Sequence, residues 1–336
     1  MVKIAVVGGG FAGVALCYYL SSHKSVFVTL IDKKGIASGA SGASCGLMHA
    51  FVGEQVRKSQ LADEAFAESK KLIQMAQAES SEVFADFSGI ERIAQTEEQR
   101  QTLLNYAQTS DDVSIISHNH FFLHKGATIQ TIAYLNALWQ VCKRRGSVFE
   151  KKEVTDEEQL IGFDHIVFAC GAGIFSFSRF KNFRLDCTKG QALQIQWPTS
   201  YPRIQHSIVA KGYIAKSLEE DKVFLGSTFE RGIFSMDPDI EVAKADLLPK
   251  FHAIFPELSL NCIGIKSGVR VTSKGHYFPL IGNVTENISI FTGLGSRGLL
   301  YHALFAKMLS NLIIKNEDKD IPAITKVLLS KNKGLA

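Results

Sequence analysis

A chain of 336 residues, 46% hydrophobic and 21% charged, is long enough for one large or two ordinary domains and too apolar to be disordered. The net charge of +4, from 37 basic and 33 acidic residues, is too small either to indicate or to exclude nucleic-acid binding. Six scattered cysteines without a C-x-x-C pair favour reduced thiols over a zinc site or a disulfide framework, and no apolar run is long enough to span a membrane. We therefore expect a cytoplasmic protein with no metal site.

The first element is an apolar strand over residues 2–7 that runs through a glycine turn into a helix. Gly8, Gly10 and Gly13 have the G-x-G-x-x-G spacing of dinucleotide-binding folds. The first glycine makes the tight turn, the second lets a pyrophosphate approach the backbone, and the third lets the helix pack on the strand. Phe11 and Ala12 begin the helix, whose N-terminus supplies N–H groups to phosphates.

A second apolar strand ends at Asp32, followed by Lys33, and a carboxylate at this position can accept hydrogen bonds from a ribose. The next segment is rich in glycine, alanine and serine, a composition typical of a flexible linker. It leaves the tip of the second strand, however, where small residues allow backbone N–H groups and hydroxyls to contact an extended cofactor. We therefore expect a cofactor longer than NAD, such as FAD. The residues expected to contact it here are Ser38, Ser41, Gly42, Ala43, Ser44, Gly46 and Leu47.

The rest of the chain predicts a second sheet and a second glycine turn. A buried strand over 163–169 ends in small residues, which lets the chain pass close to a ligand at the carboxyl edge of a parallel sheet. Strand-like segments between 187 and 228 are separated by turn signals and predict an antiparallel sheet. The last buried strand, 288–293, runs through glycines into the C-terminal helix and repeats the arrangement of the first turn.

Two other features favour no ligand of their own. His118, His120 and His124 lie close in the sequence, but no carboxylate or cysteine cluster accompanies them, so we expect no metal there. The basic end of the helix over 131–145 is the only local feature that could contact nucleic acid, and such helix ends are usually solvated.

Several motifs in the same order resemble the FAD-dependent oxidoreductases of the D-amino-acid oxidase, glycine oxidase and sarcosine oxidase group over nearly the whole chain. The motifs that carry the resemblance are the first glycine turn with Asp32, the loop 38–47, the strand end 168–172, Lys189-Gly190-Gln191, Gly212-Tyr213 with 225–228, 268–270 with 279–282, and the turn 293–299.

The resemblance implies an α/β fold, with a Rossmann-like FAD-binding domain and an inserted α+β substrate domain built on an antiparallel sheet. We place the FAD-binding domain over residues 1–85, 128–185 and 262–336, and the substrate domain over residues 86–127 and 186–261. The segment after Arg270 lacks the cysteine that tethers flavin in the sarcosine oxidases, so we expect non-covalent FAD. The further FAD contacts that the resemblance implies are Val154, Ala169, Gly171, Gly295, Arg297, Gly298 and Leu299.

The resemblance also implies a reaction. In this family the flavin accepts hydride from the carbon next to an amine, the resulting imine hydrolyses, and the electrons pass to oxygen or another acceptor. Arg270 is expected to bind a substrate carboxylate bidentately, although an ion pair within the protein is the alternative. Tyr213 is expected to add a hydroxyl to that carboxylate, with simple core packing as its alternative. The family often has proline after this arginine, whereas Val271 follows it here.

Two other functions stay open. The loop 41–47 and the turn 293–299 look most like the oxidase half of MnmC, a bifunctional enzyme of tRNA wobble-uridine modification that oxidises a carboxymethylaminomethyl group. A tRNA oxidase is therefore the second hypothesis, with tRNA a possible but not favoured partner beside a small amine or amino acid. The third is a protein that binds FAD without oxidising amines.

Overall fold

The computed structural model describes residues 1–218 and 221–325, which contain 18 strands and seven α-helices, numbered here in chain order. The strands are β1 (Val2–Val7), β2 (Val26–Asp32), β3 (Leu47–His49), β4 (Ala85–Asp86), β5 (Ile90–Ile93), β6 (Val113–Ser117), β7 (His120–Leu123), β8 (Gly126–Ile129), β9 (Val148–Lys151), β10 (His165–Phe168), β11 (Leu185–Gln196), β12 (Ser207–Val209), β13 (Tyr213–Lys216), β14 (Lys222–Gly226), β15 (Glu230–Arg231), β16 (Asn261–Ser273), β17 (Leu280–Asn283) and β18 (Ile288–Thr292). The helices are α1 (Phe11–Leu20), α2 (Ala40–Ala43), α3 (Ala62–Ala78), α4 (Glu97–Thr109), α5 (Thr131–Arg144), α6 (Ile240–His252) and α7 (Gly298–Lys315).

A six-stranded sheet in the order β17-β18-β10-β1-β2-β9 contains the first glycine turn. All neighbouring strands in it are parallel except β17 and β18. On one face of this sheet, apolar residues pack in a core with helices α1, α3, α5 and α7. Aromatic residues of segment 174–183 cover the other face of the sheet. Cover on both faces explains why residues 4–7 of β1 and 166–168 of β10 are continuous apolar runs rather than alternating ones. The predicted Rossmann-like sheet is confirmed.

A nine-stranded sheet runs in the order β15-β11-β14-β13-β12-β5-β7-β6, with β16 paired to β11. Its pairs are antiparallel except β12 with β5. Leu193, Ile214 and Leu225 of one face pack with Leu247 and Phe251 of α6. Since side chains alternate along strands, the residues between these apolar positions point to the opposite face. The α/β fold class with an added antiparallel sheet is therefore confirmed.

The domain boundaries stay a prediction. The predicted boundary at residue 262 falls within strand β16, whose pairing partner was not expected. Strand β16 lies almost wholly in the segment 262–336, which we assigned to the FAD-binding domain. It pairs with β11 from Leu185↔Ser273 to Gln196↔Asn261, within the nine-stranded sheet. Alternating apolar residues predict a strand but do not say which strand it pairs with, so the sequence did not reveal this pairing.

His302 lies fully buried where α7, α5 and α1 meet. Its Nδ1 lies 2.9 Å from the carbonyl oxygen of Leu299, which can only accept, so Nδ1 donates. The neutral ring then accepts at Nε2 from the Tyr134 hydroxyl at 2.7 Å. Burial lowers the pKa of His302 to about 4 from its usual 6.5. The imidazole is therefore neutral at physiological pH.

We expect acid to destabilise the protein through His302. Between pH 6.5 and 4, His302 binds a proton in the unfolded chain but not in the folded chain. The free energy of unfolding therefore falls as pH falls. The full shift corresponds to about 3 kcal/mol. Urea unfolding across this range should therefore show a weaker pH dependence for His302→Gln than for wild type. His118→Gln, at an exposed position, is the control, and equal pH slopes for the two variants would contradict the assignment.

Candidate active site

A cavity of about 1550 Å³ lies between the two large sheets. Its wall includes the ends of the parallel strands, at Gly8, Asp32 and Ala169, and residues of the nine-stranded sheet, among them Tyr213 and Arg270. In α/β folds of this kind ligands bind outside the carboxyl ends of the parallel strands.

The first glycine turn has no room for side chains at two positions. Gly8 has φ +117°, and a Cβ there would lie 2.4 Å from the carbonyl oxygen of Ala169 on the neighbouring strand. A Cβ at Gly13 would lie 1.9 Å from the carbonyl oxygen of Gly8. The turn therefore brings helix α1 directly against the end of β1, with the helix N-terminus at the cavity.

Asp32 ties the glycine turn to the segment that follows β2. Its carboxylate accepts hydrogen bonds from the N–H of Gly9 at 2.8 Å, the N–H of Gly35 at 2.9 Å and the Ser38 hydroxyl at 3.2 Å. One acidic side chain thus orients both backbone segments at the cavity wall.

The small-residue segment 38–47 is a packed structure and not a linker. The Ser41 hydroxyl accepts from the N–H of Phe11 at 3.0 Å, which holds the short helix α2 beside the N-terminus of α1. A Cβ at Gly42 would lie 1.9 Å from the Ala37 carbonyl oxygen, and one at Gly46 would lie 1.8 Å from that of Ile129. Small residues here are required by close backbone contacts.

A second helix N-terminus, that of α7, also reaches the cavity. A Cβ at Gly298 would lie 3.0 Å from the Phe11 ring, so α7 begins close to the beginning of α1. Arg297 donates to the Ser59 hydroxyl at 3.1 Å and to the Val52 carbonyl at 3.2 Å, and it lies 4.2 Å from the centroid of the Tyr277 ring. Burial lowers the pKa of its guanidinium.

Arg270 is largely enclosed on the other wall and forms no ion pair with an acidic residue of the described chain. Its guanidinium donates to the Ser227 hydroxyl at 3.5 Å and to the Thr228 carbonyl at 3.2 Å. A Cβ at Gly190 would lie 2.6 Å from its Nη2. Burial lowers the pKa of Arg270 and raises that of Tyr213 well above its usual value. A protonated phenol and a guanidinium without a counter-ion therefore share this wall.

Strand pairing places Tyr213 and Arg270 on the same face of the sheet. Tyr213 is opposite Gly226, and Gly226 is opposite Ala192 on β11. Four residues before Ala192, Thr188 is opposite Arg270. Directly opposed residues share a face, and so do residues an even number apart on one strand.

The comparison with known families decides what kind of protein this is. The family described as "DAO: FAD dependent oxidoreductase" matches residues 3–312. The chain belongs to this family. This DAO-family protein is therefore an FAD-dependent oxidoreductase, as its motifs indicated.

Curated relatives are longer than this chain. The chain is 24% identical over 376 aligned positions to the tRNA 5-methylaminomethyl-2-thiouridine biosynthesis bifunctional protein MnmC of Leptospira borgpetersenii serovar Hardjo-bovis (strain JB197). That match covers 92% of this chain but 57% of the relative, so the chain spans little more than half its length.

Solved structures share the fold. The glycine oxidase of Geobacillus kaustophilus has a TM-score of 0.79 at 18% identity, covering 97% of this chain and 98% of that one. The dithionite-reduced L-alpha-glycerophosphate oxidase of Mycoplasma pneumoniae, solved with FAD bound, has a TM-score of 0.74 at 16% identity, covering 93% and 95%.

The cavity wall of this DAO-family protein fits an FAD, since it offers two helix N-termini, an acidic strand end and small residues at close backbone contacts. Gly13 and Gly42 are packed behind the wall, at contacts too close for a side chain. The individual FAD contacts stay a prediction. The predicted residues on the wall are Gly8, Gly10, Phe11, Ala12, Asp32, Lys33, Ser38, Ser41, Ala43, Ser44, Gly46, Leu47, Val154, Ala169, Gly171, Tyr213, Arg270, Gly295, Arg297, Gly298 and Leu299.

The sequence did not single out two buried polar residues of the wall, His49 and Arg92. His49 ends β3, and Arg92 occupies an inward position of β5, two residues after the buried Ile90. An arginine at an inward position of a strand was the one available signal. This signal indicates a binding residue only once β5 is known to border the cavity.

Within the described ranges no group of three or more His, Cys, Asp or Glu side chains could hold a metal ion. No helix of the same ranges has the length and apolar character needed to cross a membrane.

We expect Gly42→Ala to reduce flavin binding, because the added Cβ would displace the backbone of the 37–42 turn. Gly264→Ala is the control, because Gly264 lies outside the cavity wall and its added Cβ would meet only the flexible Gln194 side chain, whose Oε1 is 3.0 Å away. The ratio of flavin to protein absorbance after purification measures the effect. Equal flavin content in the two variants would show that the loop does not depend on this contact.

Proposed function

We propose that this oxidoreductase oxidises the C–N bond of a small amine or amino acid that carries a carboxylate. The observation that carries the proposal is Arg270, an enclosed arginine on the cavity wall without an acidic partner among the described residues. The Tyr213 hydroxyl lies close by on the same face.

The electrostatics of this wall favour an anion. Burying a charged group without a counter-ion is costly, and a ligand carboxylate removes that cost by forming charge-assisted hydrogen bonds. Arg270 can present two parallel N–H groups to it. Because burial raises the pKa of Tyr213, its hydroxyl stays protonated and can donate a further hydrogen bond.

The chain's part in the reaction is to bind and orient the substrate. Bound FAD would supply the acceptor for a hydride from the carbon next to the amine nitrogen. Arg270 and Tyr213 hold the carboxylate, and thereby direct this carbon toward the wall formed by the glycine turns. Loss of this hydride together with the proton on nitrogen would leave an imine, which water would hydrolyse to a carbonyl compound and ammonia or an amine, and oxygen or another acceptor would take the two electrons.

A tRNA wobble-uridine oxidase is the second candidate, supported by the names of the relatives that match most of this chain. A carboxymethylaminomethyl group is also a secondary amine with a carboxylate, so Arg270 would bind it in the same way. A protein that binds FAD without oxidising amines is the third.

Anaerobic mixing of the flavin-loaded protein with a panel of compounds separates these candidates. The panel contains glycine, sarcosine, both enantiomers of the common amino acids, and tRNA bearing carboxymethylaminomethyluridine. Our proposal predicts that a small amino acid bleaches the flavin absorbance. Bleaching by tRNA alone favours the second candidate, and a yellow protein that no compound bleaches favours the third.

We expect Arg270→Met to raise the apparent KM of the active amino acid at least 30-fold, about 2 kcal/mol, because one partner of an enclosed charge pair is removed. Arg270→Lys should be intermediate, since an ammonium cannot form two parallel hydrogen bonds. Arg144→Met is the control, because Arg144 lies on α5 and forms an ion pair with Glu79. Loss of flavin from Arg270→Met, or a KM equal to that of the control, would contradict the role.

A further inference from the structure

A second arginine, Arg92, is buried on the wall of the same cavity. Its side chain is on β5, the residue is 4% exposed, and its Nε has no hydrogen-bond partner. In the described part of the chain it forms no ion pair, although Glu54 and Glu98 also line the cavity. Burial lowers its pKa to about 10, so it still carries its charge at neutral pH. Nothing in the proposed amine oxidation accounts for this charge.

Strand pairing puts Arg92 on the same face as the carboxylate site. Arg92 is opposite Val209 on β12, and Val209 is opposite Tyr213 on β13. All three therefore face the cavity. Two strand spacings separate the backbones of Arg92 and Tyr213 by about 10 Å. Arg270 lies three strands beyond Tyr213 in the same sheet, on β16, so two cationic positions stand at different places along one wall.

His49, the last residue of β3, adds a polar group beside Arg92. It is 7% exposed, and its Nδ1 has no partner. Burial and the charges of Arg92 and Arg297 lower its pKa to about 3, so the imidazole is neutral. A neutral imidazole can donate one hydrogen bond to a ligand and does not repel the two arginines.

We propose that Arg92 and His49 form a second anion-binding subsite, so that the substrate is an amine with an acidic group at each end. Resting on the proposed function, the first carboxylate binds at Arg270 and Tyr213. The second group, a carboxylate or a phosphate, binds at Arg92. A substrate whose second acid is replaced by an isosteric amide leaves Arg92 buried and unpaired, and the site therefore discriminates against it.

Calorimetry with non-reacting ligands tests the subsite on the flavin-loaded protein. The probes are succinate, glutarate and adipate, each beside its monoamide, which has the same shape and one charge less. At the best chain length we expect the diacid to bind at least 10-fold more tightly than its monoamide, about 1.4 kcal/mol. The corresponding ω-phosphonocarboxylate distinguishes a phosphate from a carboxylate as the preferred second group.

Variants assign the preference to Arg92. In Arg92→Met the diacid and its monoamide should bind equally, with the monoamide affinity unchanged, and Arg92→Lys should keep part of the preference. Arg100→Met, at an arginine paired with Glu97 on α4, is the matched control. If Arg92→Met does not fold, Arg92→Gln replaces it, with flavin content as the check on folding.

Two results would overturn the subsite: no diacid that binds more tightly than its monoamide in wild type, or a preference for the diacid that is undiminished in Arg92→Met, or in Arg92→Gln where that variant replaces it. Neither result depends on turnover. Failure of the proposed function appears instead as a flavin that no amine bleaches, so the two failures are distinguishable.

Discussion

The absence of side chains at Gly8 and Gly13 is the constraint on which the rest of the site depends. A side chain at either position would collide with the backbone of Ala169 or of Gly8 itself. Because neither glycine carries a Cβ, α1 begins directly at the end of β1. Ser41 reaches the first N–H group of α1 because Gly10 also lacks a Cβ, which would lie 2.8 Å from the Ser41 hydroxyl. The small residues of the following loop are needed for the same reason, since Gly42 and Gly46 lie against carbonyl oxygens. Close backbone packing, more than flexibility, explains this composition.

The opposite wall follows a different physical rule. The nine-stranded sheet buries apolar residues against α6 on one face, and on the other it carries Arg270, Tyr213 and Arg92. Enclosed arginines without acidic partners do not stabilise a fold, because desolvation of the charge is not compensated within the protein. Their retention on a cavity wall makes sense for a ligand that supplies the negative charge. On our proposal the two walls bind different ligands: the wall with the glycine turns binds the dinucleotide FAD, and the opposite wall binds an acid.

The sequence was sufficient for the features that are local in the chain. Three such features line the cavity: the first glycine turn, the acidic strand end and the second glycine turn. Each of them is formed by residues that are only a few positions apart in the sequence. Features that depend on pairing between distant segments were not accessible. The pairing of β16 with β11 and the parallel pairing of β5 with β12 are set by the whole sheet, and no local pattern encodes them. Arg92 was missed for this reason, because its burial and its direction follow from that second pairing.

We propose that Arg270 selects substrates by their carboxylate. Anaerobic stopped-flow measurement of flavin reduction tests it with one pair of compounds, the best amino acid substrate and its carboxamide. These two share the amine and the carbon that loses hydride, and differ only in the group expected at Arg270. We expect flavin reduction at least 100-fold slower with the amide at equal subsaturating concentration, about 2.7 kcal/mol. Equal reduction rates for the acid and the amide would contradict it.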